Sequence, residues 1–369
     1  MKIEKIEILD LALPMIHSFE TSFGKIENKH TVIVKAYDIS GIIGYGEAPA
    51  LNAPLYNYET SDTCMYVLEK FLGPMMINKK FDSIEQLVKF YHPILGHNFA
   101  KAGLQNACWH ILAQKENKSL KQLIGGVKDK IPVGESLGIK STIEDTLNEV
   151  DYRLKEGYRR IKVKIKPGWD INVISVIRNK YPDIDLMVDG NSAYTLADLN
   201  VLMKLDNYNL TMIEQPLAHD DIIDHATLQK QIKTPICLDE SITSPEDARK
   251  AIEIGACKII NIKPPRVGGL LESKKIHDIC QEKGVGVWCG GMLESGIGRA
   301  FNIAVASLPN NLYPADMSPY HFFYKEDLIE PSYEIDKDGY VDVPDKPGLG
   351  FDVDEDRIKK YTKRKVVLS

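Results

Sequence analysis

The chain has 369 residues, of which 44% are hydrophobic and 27% charged, and its formal net charge is −6. This composition is that of a folded globular protein, and the length allows a domain of ~250 residues beside a smaller one. The negative charge argues against nucleic acid or an anionic membrane surface as a partner. No stretch approaches the ~18 apolar residues of a membrane span. We therefore expect a cytoplasmic protein with neither kind of partner.

The first part of the chain alternates as strands do and then becomes helical. Apolar and charged side chains alternate over 3–9, and a turn at 38–41 joins strands predicted at 31–37 and 42–47. Helical periodicity follows at about 58–72, 84–91 and 98–115. These patterns predict an α+β domain over residues 1–128.

From residue 131 onward, short apolar runs alternate with helical segments. The predicted strands are 131–139, 160–165, 185–188, 210–213, 235–238, 258–262, 285–289 and 312–315. Ser141 and Glu144 predict a capping box for the first helix, and Pro245 predicts the first turn of a later one. Eight strands alternating with helices predict a parallel α/β barrel over 129–321. A doubly wound open sheet is the alternative, although 134–138 lacks its glycine-rich phosphate motif.

The C-terminal segment, 322–369, is strand-like again. Residues 333–335 and 340–343 flank a turn signal at 337–339, which predicts a hairpin. We expect this segment to return to the N-terminal domain.

Three carboxylates directly follow successive apolar strands. They are Asp189, Glu214 and Asp239, and one βα unit of 25 residues separates each from the next. Because strand C-terminal ends share one rim of a barrel, the three side chains should converge. Crowded carboxylates need a counter-ion, and an all-oxygen ligand set suits Mg²⁺ or Mn²⁺. Helix capping or solvated loop acids are the alternative, but three acids in register favour the metal.

Three lysines are placed to act on a substrate at the same rim. Lys162 and Lys164 alternate on the second predicted strand, so both should point into the barrel, where a lysine is costly without a partner or a function. Lys263 follows the sixth strand, which lies opposite the second in a ring of eight. A substrate would lie between Lys164 and Lys263. Lysines that reach the surface are the alternative, above all for Lys162.

These motifs together resemble the muconate-cycloisomerase subgroup of the enolase superfamily. The matching residues are Lys162-Val163-Lys164, Asp189, Glu214-Gln215-Pro216, Asp239-Glu240-Ser241 and Lys263. The stretches 164–170, 236–241 and 287–296 look like the branch that holds o-succinylbenzoate synthases and N-succinylamino acid racemases. The mandelate-racemase branch has a histidine base where this chain has Lys263. Dipeptide epimerases carry an Asp-x-Asp after the eighth strand, whereas Ser318 stands at the second position here.

The resemblance implies a (β/α)₇β modified TIM barrel with an α+β capping domain, a small carboxylate substrate and a homo-oligomer. It implies that Lys164, which has to be neutral, removes the proton α to the carboxylate, and that Lys162 stabilises the enediolate. Lys263 would either stay cationic, in a dehydration, or act as a second base, in a racemisation. Both reactions use the same residues, so the sequence leaves both open. A barrel that only binds is a third alternative, which the interior charges disfavour.

The resemblance also predicts residues that contact the substrate. Segment 18–24 looks like the mobile lid of the superfamily, with Phe19 and Phe23 over the apolar part of the substrate, although both could instead pack in a core. Segment 50–56 would supply a second wall.

Further predicted contacts come from the barrel. Ser136, Asn191, Gly291 and Met292 are predicted to bind substrate, with the glycine allowing close approach to the backbone. Arg266, three residues after Lys263, would lie behind that lysine without touching the substrate and would lower the pKa of Lys263 by like-charge repulsion. A surface arginine at a helix start is the alternative.

Overall fold

The N-terminal segment forms an antiparallel sheet covered by helices. The computed structural model describes residues 1–21 and 24–369, and for residues 18–21, 24, 25 and 27 it describes the backbone alone. The strands are β1 (Ile3–Thr21), β2 (Gly24–Asp38) and β3 (Ile43–Ala48), and the helices are α1 (Ser61–Val67), α2 (Gly73–Met76), α3 (Ile84–Tyr91), α4 (Asn98–Lys115) and α5 (Leu120–Ile124). A π-helical segment, Leu68–Leu72, joins α1 to α2.

The long helix α4 packs directly on β3. A Cβ atom added at Gly46 would lie only 2.1 Å from the carbonyl oxygen of Gly103. One added at Gly44 would clash in the same way with the carbonyl oxygen of Ala107. Because these strand positions are glycines, helix and sheet approach closely. The predicted hairpin turn at 38–41 is confirmed, with Gly41 in the left-handed region at φ +83°.

Eight parallel strands form the second unit. They are β4 (Lys130–Leu137), β5 (Arg160–Lys164), β6 (Leu186–Asp189), β7 (Ile213–Glu214), β8 (Ile236–Leu238), β9 (Ile259–Ile262), β10 (Gly286–Cys289) and β11 (Ala315–Asp316). They are hydrogen-bonded in the order β10-β9-β8-β7-β6-β5-β4-β11. Val287 of β10 forms a parallel bridge with Asn311, shortly before β11, which nearly closes the ring.

Helices follow the first seven of these strands. They are α6 (Ile143–Lys155), α7 (Ile171–Lys180), α8 (Leu199–Leu205), α9 (Ile223–Gln229), α10 (Pro245–Glu253), the pair α11 (Pro264–Val267) and α12 (Leu270–Lys283), and α13 (Gly296–Ala306). β11 leads instead into a loop with a 3-10 turn at Tyr320–Phe322. The prediction of a (β/α)₇β barrel with an α+β cap is confirmed.

The predicted capping box of α6 is wrong by one residue. The helix begins at Ile143, and its cap is Thr142, whose hydroxyl accepts a hydrogen bond from the amide of Asp145 at 3.0 Å. Ser141 and Glu144 carry the same signal one position earlier, and Thr142 is itself a good N-cap residue. The predicted start of α10 at Pro245 is confirmed.

The C-terminal segment contributes to both units. Its elements are β12 (Ile329–Glu330), β13 (Tyr340–Asp342), β14 (Asp352–Val353), α14 (Glu355–Tyr361) and β15 (Thr362–Leu368). β15 pairs antiparallel with β1, so the segment does return to the N-terminal sheet. No helix in the described part of the chain is long and apolar enough to cross a membrane.

The predicted hairpin at 333–343 is wrong, although its turn exists. The amide of Gly339 donates to the carbonyl of Asp336, but 333–335 is no strand, and β13 pairs antiparallel with β4. The reason is that β4 uses its C-terminal half to pair with β5 and β11. Its residues 130–132 therefore still have backbone groups to satisfy, and β13 supplies the partners.

Candidate active site

Charged side chains gather at the C-terminal ends of the barrel strands. Those that the sequence predicted there are Lys162, Lys164, Asp189, Glu214, Asp239 and Lys263. The parallel register aligns Lys164 with Asp189, and Asp189 with Glu214. All six side chains are buried, and a second hydrophobic cluster of Met187, Met212, Cys237, Ile259 and Trp288 lies apart from the main core. Its members occupy alternate strand positions below these charges, which places the charges over a filled barrel interior.

The two lysines of β5 donate hydrogen bonds to different partners. Lys164 Nζ lies 2.6 Å from Asp189 Oδ2 and donates to Asn191 Oδ1 at 2.7 Å. Lys162 Nζ donates to Glu214 Oε2 at 3.1 Å and to Asp316 Oδ2 at 2.8 Å. Both ammonium groups are therefore held by carboxylates inside the barrel, and neither reaches the surface.

Lys263 lies on the other side of the ring and contacts the capping domain. Its Nζ is 2.7 Å from Asp239 Oδ2 and 3.2 Å from the hydroxyl of Tyr56. Arg266 forms an ion pair with the other oxygen of Asp239 and donates from Nε to the carbonyl of Ile242 at 2.8 Å. The alternative of a surface arginine is wrong, because Arg266 is 2% exposed.

The electrostatics keep Lys162 positively charged. Burial lowers the pKa of Lys162, but Asp316, Glu214 and Asp189 together raise it above its ordinary value. Burial likewise raises the pKa of Asp316, which the cationic groups of Lys162 and Arg160 then bring well below its usual range. The two side chains thus stabilise each other in their charged forms.

The neighbouring carboxylates shift in opposite directions. Burial raises the pKa of Asp189, but Lys164 and Lys162 lower it to about 2. The pKa of Glu214 is raised by burial and by the negative charge of Asp189. The same two causes raise the pKa of Glu240 to about 7. Negative charge is therefore crowded at this rim, although several cations stand beside it.

The expected effect of Arg266 on Lys263 stays a prediction, and other groups outweigh it in the net shift of the lysine's pKa. Burial lowers the pKa of Lys263, but Tyr56, Glu214 and other acidic groups raise it above its ordinary value. The guanidinium of Arg266 forms an ion pair with Asp239, the same carboxylate that Lys263 contacts.

The donor set fits a hard divalent cation by its chemistry. Asp189, Glu214 and Asp239 offer carboxylate oxygens only, from three adjacent strands, and all three are buried. Glu240 Oε2 is a further buried oxygen without a hydrogen-bond partner among the described atoms. In the described part of the chain, no three acidic groups already converge on one point, because each is paired with a cationic side chain.

A cavity of about 80 Å³ lies over the three lysines. Ser136 and Gly291, both predicted to bind substrate, line it together with Phe323. Asn191 lines a larger neighbouring cavity of about 660 Å³. Met292 is buried at the contact of the cap and the barrel, where it lines a small cavity together with Tyr56.

The predicted lid residues Phe19 and Phe23 have side chains outside the described part of the structure. Segment 50–56 does reach the site, since the larger cavity is lined by Pro54, Leu55 and Tyr56 as well as by Glu240 and Arg266. Tyr56 is the member of this wall that touches the charged groups.

Sequence reasoning missed three further acids of the site, of which Glu135 and Glu240 are buried and Asp316 is half-buried. Asp316 ends β11 and binds Lys162. From the sequence alone, this stretch is recognised only as an incomplete Asp-x-Asp motif. The rule that found the other three acids, a carboxylate at a strand end, would have found it. Glu240 follows Asp239 in chain order, and Glu135 of β4 accepts a hydrogen bond from Ser318. Their burial is visible only in the structure.

Comparison with known proteins agrees with this architecture. The family described as mandelate racemase/muconate lactonizing enzyme, N-terminal domain, matches residues 5–125, and enolase C-terminal domain-like matches 145–357. An o-succinylbenzoate synthase of Geobacillus kaustophilus is 47% identical over 98% of this chain and 96% of its own. An N-succinylamino acid racemase of Thermus thermophilus is 44% identical over 95% of this chain and 94% of its own.

A solved structure shares the whole fold. The crystal structure of an enolase-superfamily member from Listeria innocua superposes with a TM-score of 0.96 at 39% identity, covering 100% of this chain and 99% of that one. Both halves of the chain match the family, and the resemblance predicted from the motifs is confirmed. The chain belongs to the enolase superfamily of enzymes.

Proposed function

We propose that this enzyme is an o-succinylbenzoate synthase that also racemises N-succinylamino acids at the same site. The synthase reaction dehydrates 2-succinyl-6-hydroxy-2,4-cyclohexadiene-1-carboxylate in menaquinone biosynthesis. The observation that carries the proposal is the placement of Lys164 and Lys263 on β5 and just after β9. Three strands separate β5 from β9 on either side of the ring, so the two lysines would face one substrate from opposite sides.

Members of this superfamily generally use Mg²⁺. In this chain Asp189, Glu214 and Asp239 would hold Mg²⁺ or Mn²⁺, which acts as a Lewis acid on the substrate carboxylate. Lys162 would donate to the same carboxylate. Its charge is maintained by Asp316, so it can stabilise the enediolate as negative charge develops.

The proton chemistry belongs to the other two lysines. In the dehydration, neutral Lys164 would take the α-proton and return it to the leaving hydroxyl, which departs as water while the ring becomes aromatic. Lys263 would remain cationic on the opposite face. In the racemisation, one lysine would remove the α-proton and the other would deliver a proton to the opposite face.

Racemisation is included in the proposal because of the relatives and because of Lys263. Proteins named for each reaction are 44–47% identical to this chain. The second aspartate of the dipeptide-epimerase motif is replaced by Ser318, and Asp316 is engaged by Lys162 and Arg160. The lid role of Phe19 and Phe23, the homo-oligomer and the cytoplasmic location stay predictions from sequence.

Steady-state assays of both substrates would test the proposal. The purified protein with Mg²⁺ should convert both, and Lys164→Ala should abolish both while remaining folded by circular dichroism. Lys166→Ala, two positions along and beyond β5, is the matched control and should be active. Dehydration without racemisation would restrict the proposal to the synthase, and turnover of neither substrate would refute it.

A further inference from the structure

Tyr56 belongs to the capping domain but lies against a lysine of the barrel. Its hydroxyl is 3.2 Å from Lys263 Nζ, and that nitrogen is 4.6 Å from the centre of the Tyr56 ring. The tyrosine is buried, so both contacts are shielded from water. A hydrogen bond and a cation–π contact with one ring restrict where the ammonium can lie.

The same hydroxyl touches two further charged groups. It donates to Asp239 Oδ1 at 3.2 Å, and Arg266 Nη1 lies 3.4 Å from it. A phenol has one proton to donate and lone pairs to accept with. Donation to Asp239 therefore leaves the oxygen to accept from Lys263 and Arg266, which ties the tyrosine to all three.

The other lysine is held differently. Lys164 hydrogen-bonds to Asp189 and Asn191, which belong to the barrel itself. The two faces of the site thus differ, since Tyr56 of the cap reaches Lys263 whereas these partners of Lys164 are part of the ring.

We propose that Tyr56 is the positioning residue of Lys263 and has no such effect on Lys164. This inference rests on the proposed two-base racemisation. A small displacement of a reacting group slows proton transfer strongly, so the half-reaction on the Lys263 face depends on a hydroxyl from the cap. The half-reaction on the Lys164 face does not.

Isotope exchange separates the two faces. Each pure enantiomer of an N-succinylamino acid is incubated with Mg²⁺-loaded enzyme in D₂O, and loss of its α-proton is followed by NMR. Lys263→Ala identifies the enantiomer whose exchange needs Lys263. Tyr56→Phe should slow exchange of that enantiomer about ten- to hundredfold, as expected for loss of a hydrogen bond to a charged group. Exchange of the other enantiomer should change by less than about twofold.

Tyr58→Phe is the matched control, because Tyr58 lies two residues along the same segment and is 62% exposed. It should leave both exchange rates unchanged. Thermal melts report whether each variant is folded, and Tyr56→Leu replaces Tyr56→Phe if the latter is unstable, with the same asymmetry expected. Equal slowing of both enantiomers, or of neither, would overturn the inference. If the unmodified enzyme exchanges neither enantiomer, the racemase function itself fails, and the inference fails with it.

Discussion

Asp316 accepts a hydrogen bond from Lys162 at 2.8 Å through Oδ2, and one from Arg160 at 2.7 Å through Oδ1. One carboxylate at the end of the eighth strand therefore holds two cations of the second strand. It fixes the position of the ammonium that we expect to meet the substrate carboxylate.

Replacing this carboxylate should impair catalysis. Asp316→Asn removes the charge that holds Lys162, and we expect kcat/KM to fall about ten- to hundredfold, in the range of lost transition-state contacts. Steady-state kinetics would measure the fall. Asp342→Asn, at an exposed position of β13, is the control. Unchanged kcat/KM for Asp316→Asn would mean that Lys162 needs no such partner.

Metal dependence can be tested by binding as well as by activity. Asp239→Asn keeps the shape of the side chain but removes a charge, so Mn²⁺ affinity and activity should both fall by orders of magnitude. Electron paramagnetic resonance counts bound Mn²⁺ directly. Asp220→Asn, in an exposed loop, should bind as the unmodified enzyme does. Full activity after exhaustive chelation would exclude the metal site.

Glu47 connects the cap to the barrel and should contribute strongly to stability. Its carboxylate accepts hydrogen bonds from the amide and hydroxyl of Ser295, from the amide of Gly298 at 2.9 Å and from the hydroxyl of Thr31 at 2.7 Å. Glu47→Ala leaves these buried donors without an acceptor, which should lower the free energy of unfolding by ~2–4 kcal/mol.

Urea unfolding would measure that loss. Glu4→Ala, at an exposed position of β1 in the same sheet, is the control and should change stability by less than ~0.5 kcal/mol. A similar, small effect of both variants would show that the contacts of Glu47 are replaced by water.

His110 should make the fold less stable in mild acid. Its ring is buried, its Nδ1 accepts a hydrogen bond from the amide of Tyr45 at 3.1 Å, and burial lowers its pKa from 6.5 to about 3. Below pH 6.5 the unfolded chain binds a proton that the folded chain refuses, so stability falls as the pH falls. At pH 5 the loss from this group should be ~2 kcal/mol.

Comparison with a variant isolates this contribution. His110→Asn can keep an acceptor near the position of Nδ1 but does not titrate. Between pH 7 and pH 5, the unfolding free energy of this variant should therefore fall by ~2 kcal/mol less than that of the unmodified protein. Parallel pH dependences for the two proteins would contradict the assignment.

The barrel and its acids could be predicted because both depend on short sequence periods. A carboxylate after each apolar run places Asp189, Glu214 and Asp239 at one rim whatever the helices contain. The role of Tyr56 could not be predicted in this way, because it depends on where a separate domain rests on the barrel. The burial of Arg266 depends on the same packing of the two domains, because the sequence at the start of a short helix does not show whether another domain covers it.

Local ambiguity explains the smaller errors. Residues 141–145 contain two overlapping cap signals, and only packing selects Thr142. The turn predicted at 337–339 is present, but β13 pairs with β4 and not with residues 333–335, which precede it in the chain.

The pairing of β1 with β15 joins Ile6 to Leu368, almost the full length of the chain apart. A ribosome therefore releases the barrel before it releases the strand that completes the sheet of the cap. Until then the edge of β1 presents unpaired amides and carbonyls, the kind of edge to which other chains attach. A nascent chain of this enzyme consequently exposes this edge of β1 until residues 362–368 have been made, and chaperones that cover such edges should bind it at residues 6–11 during that time.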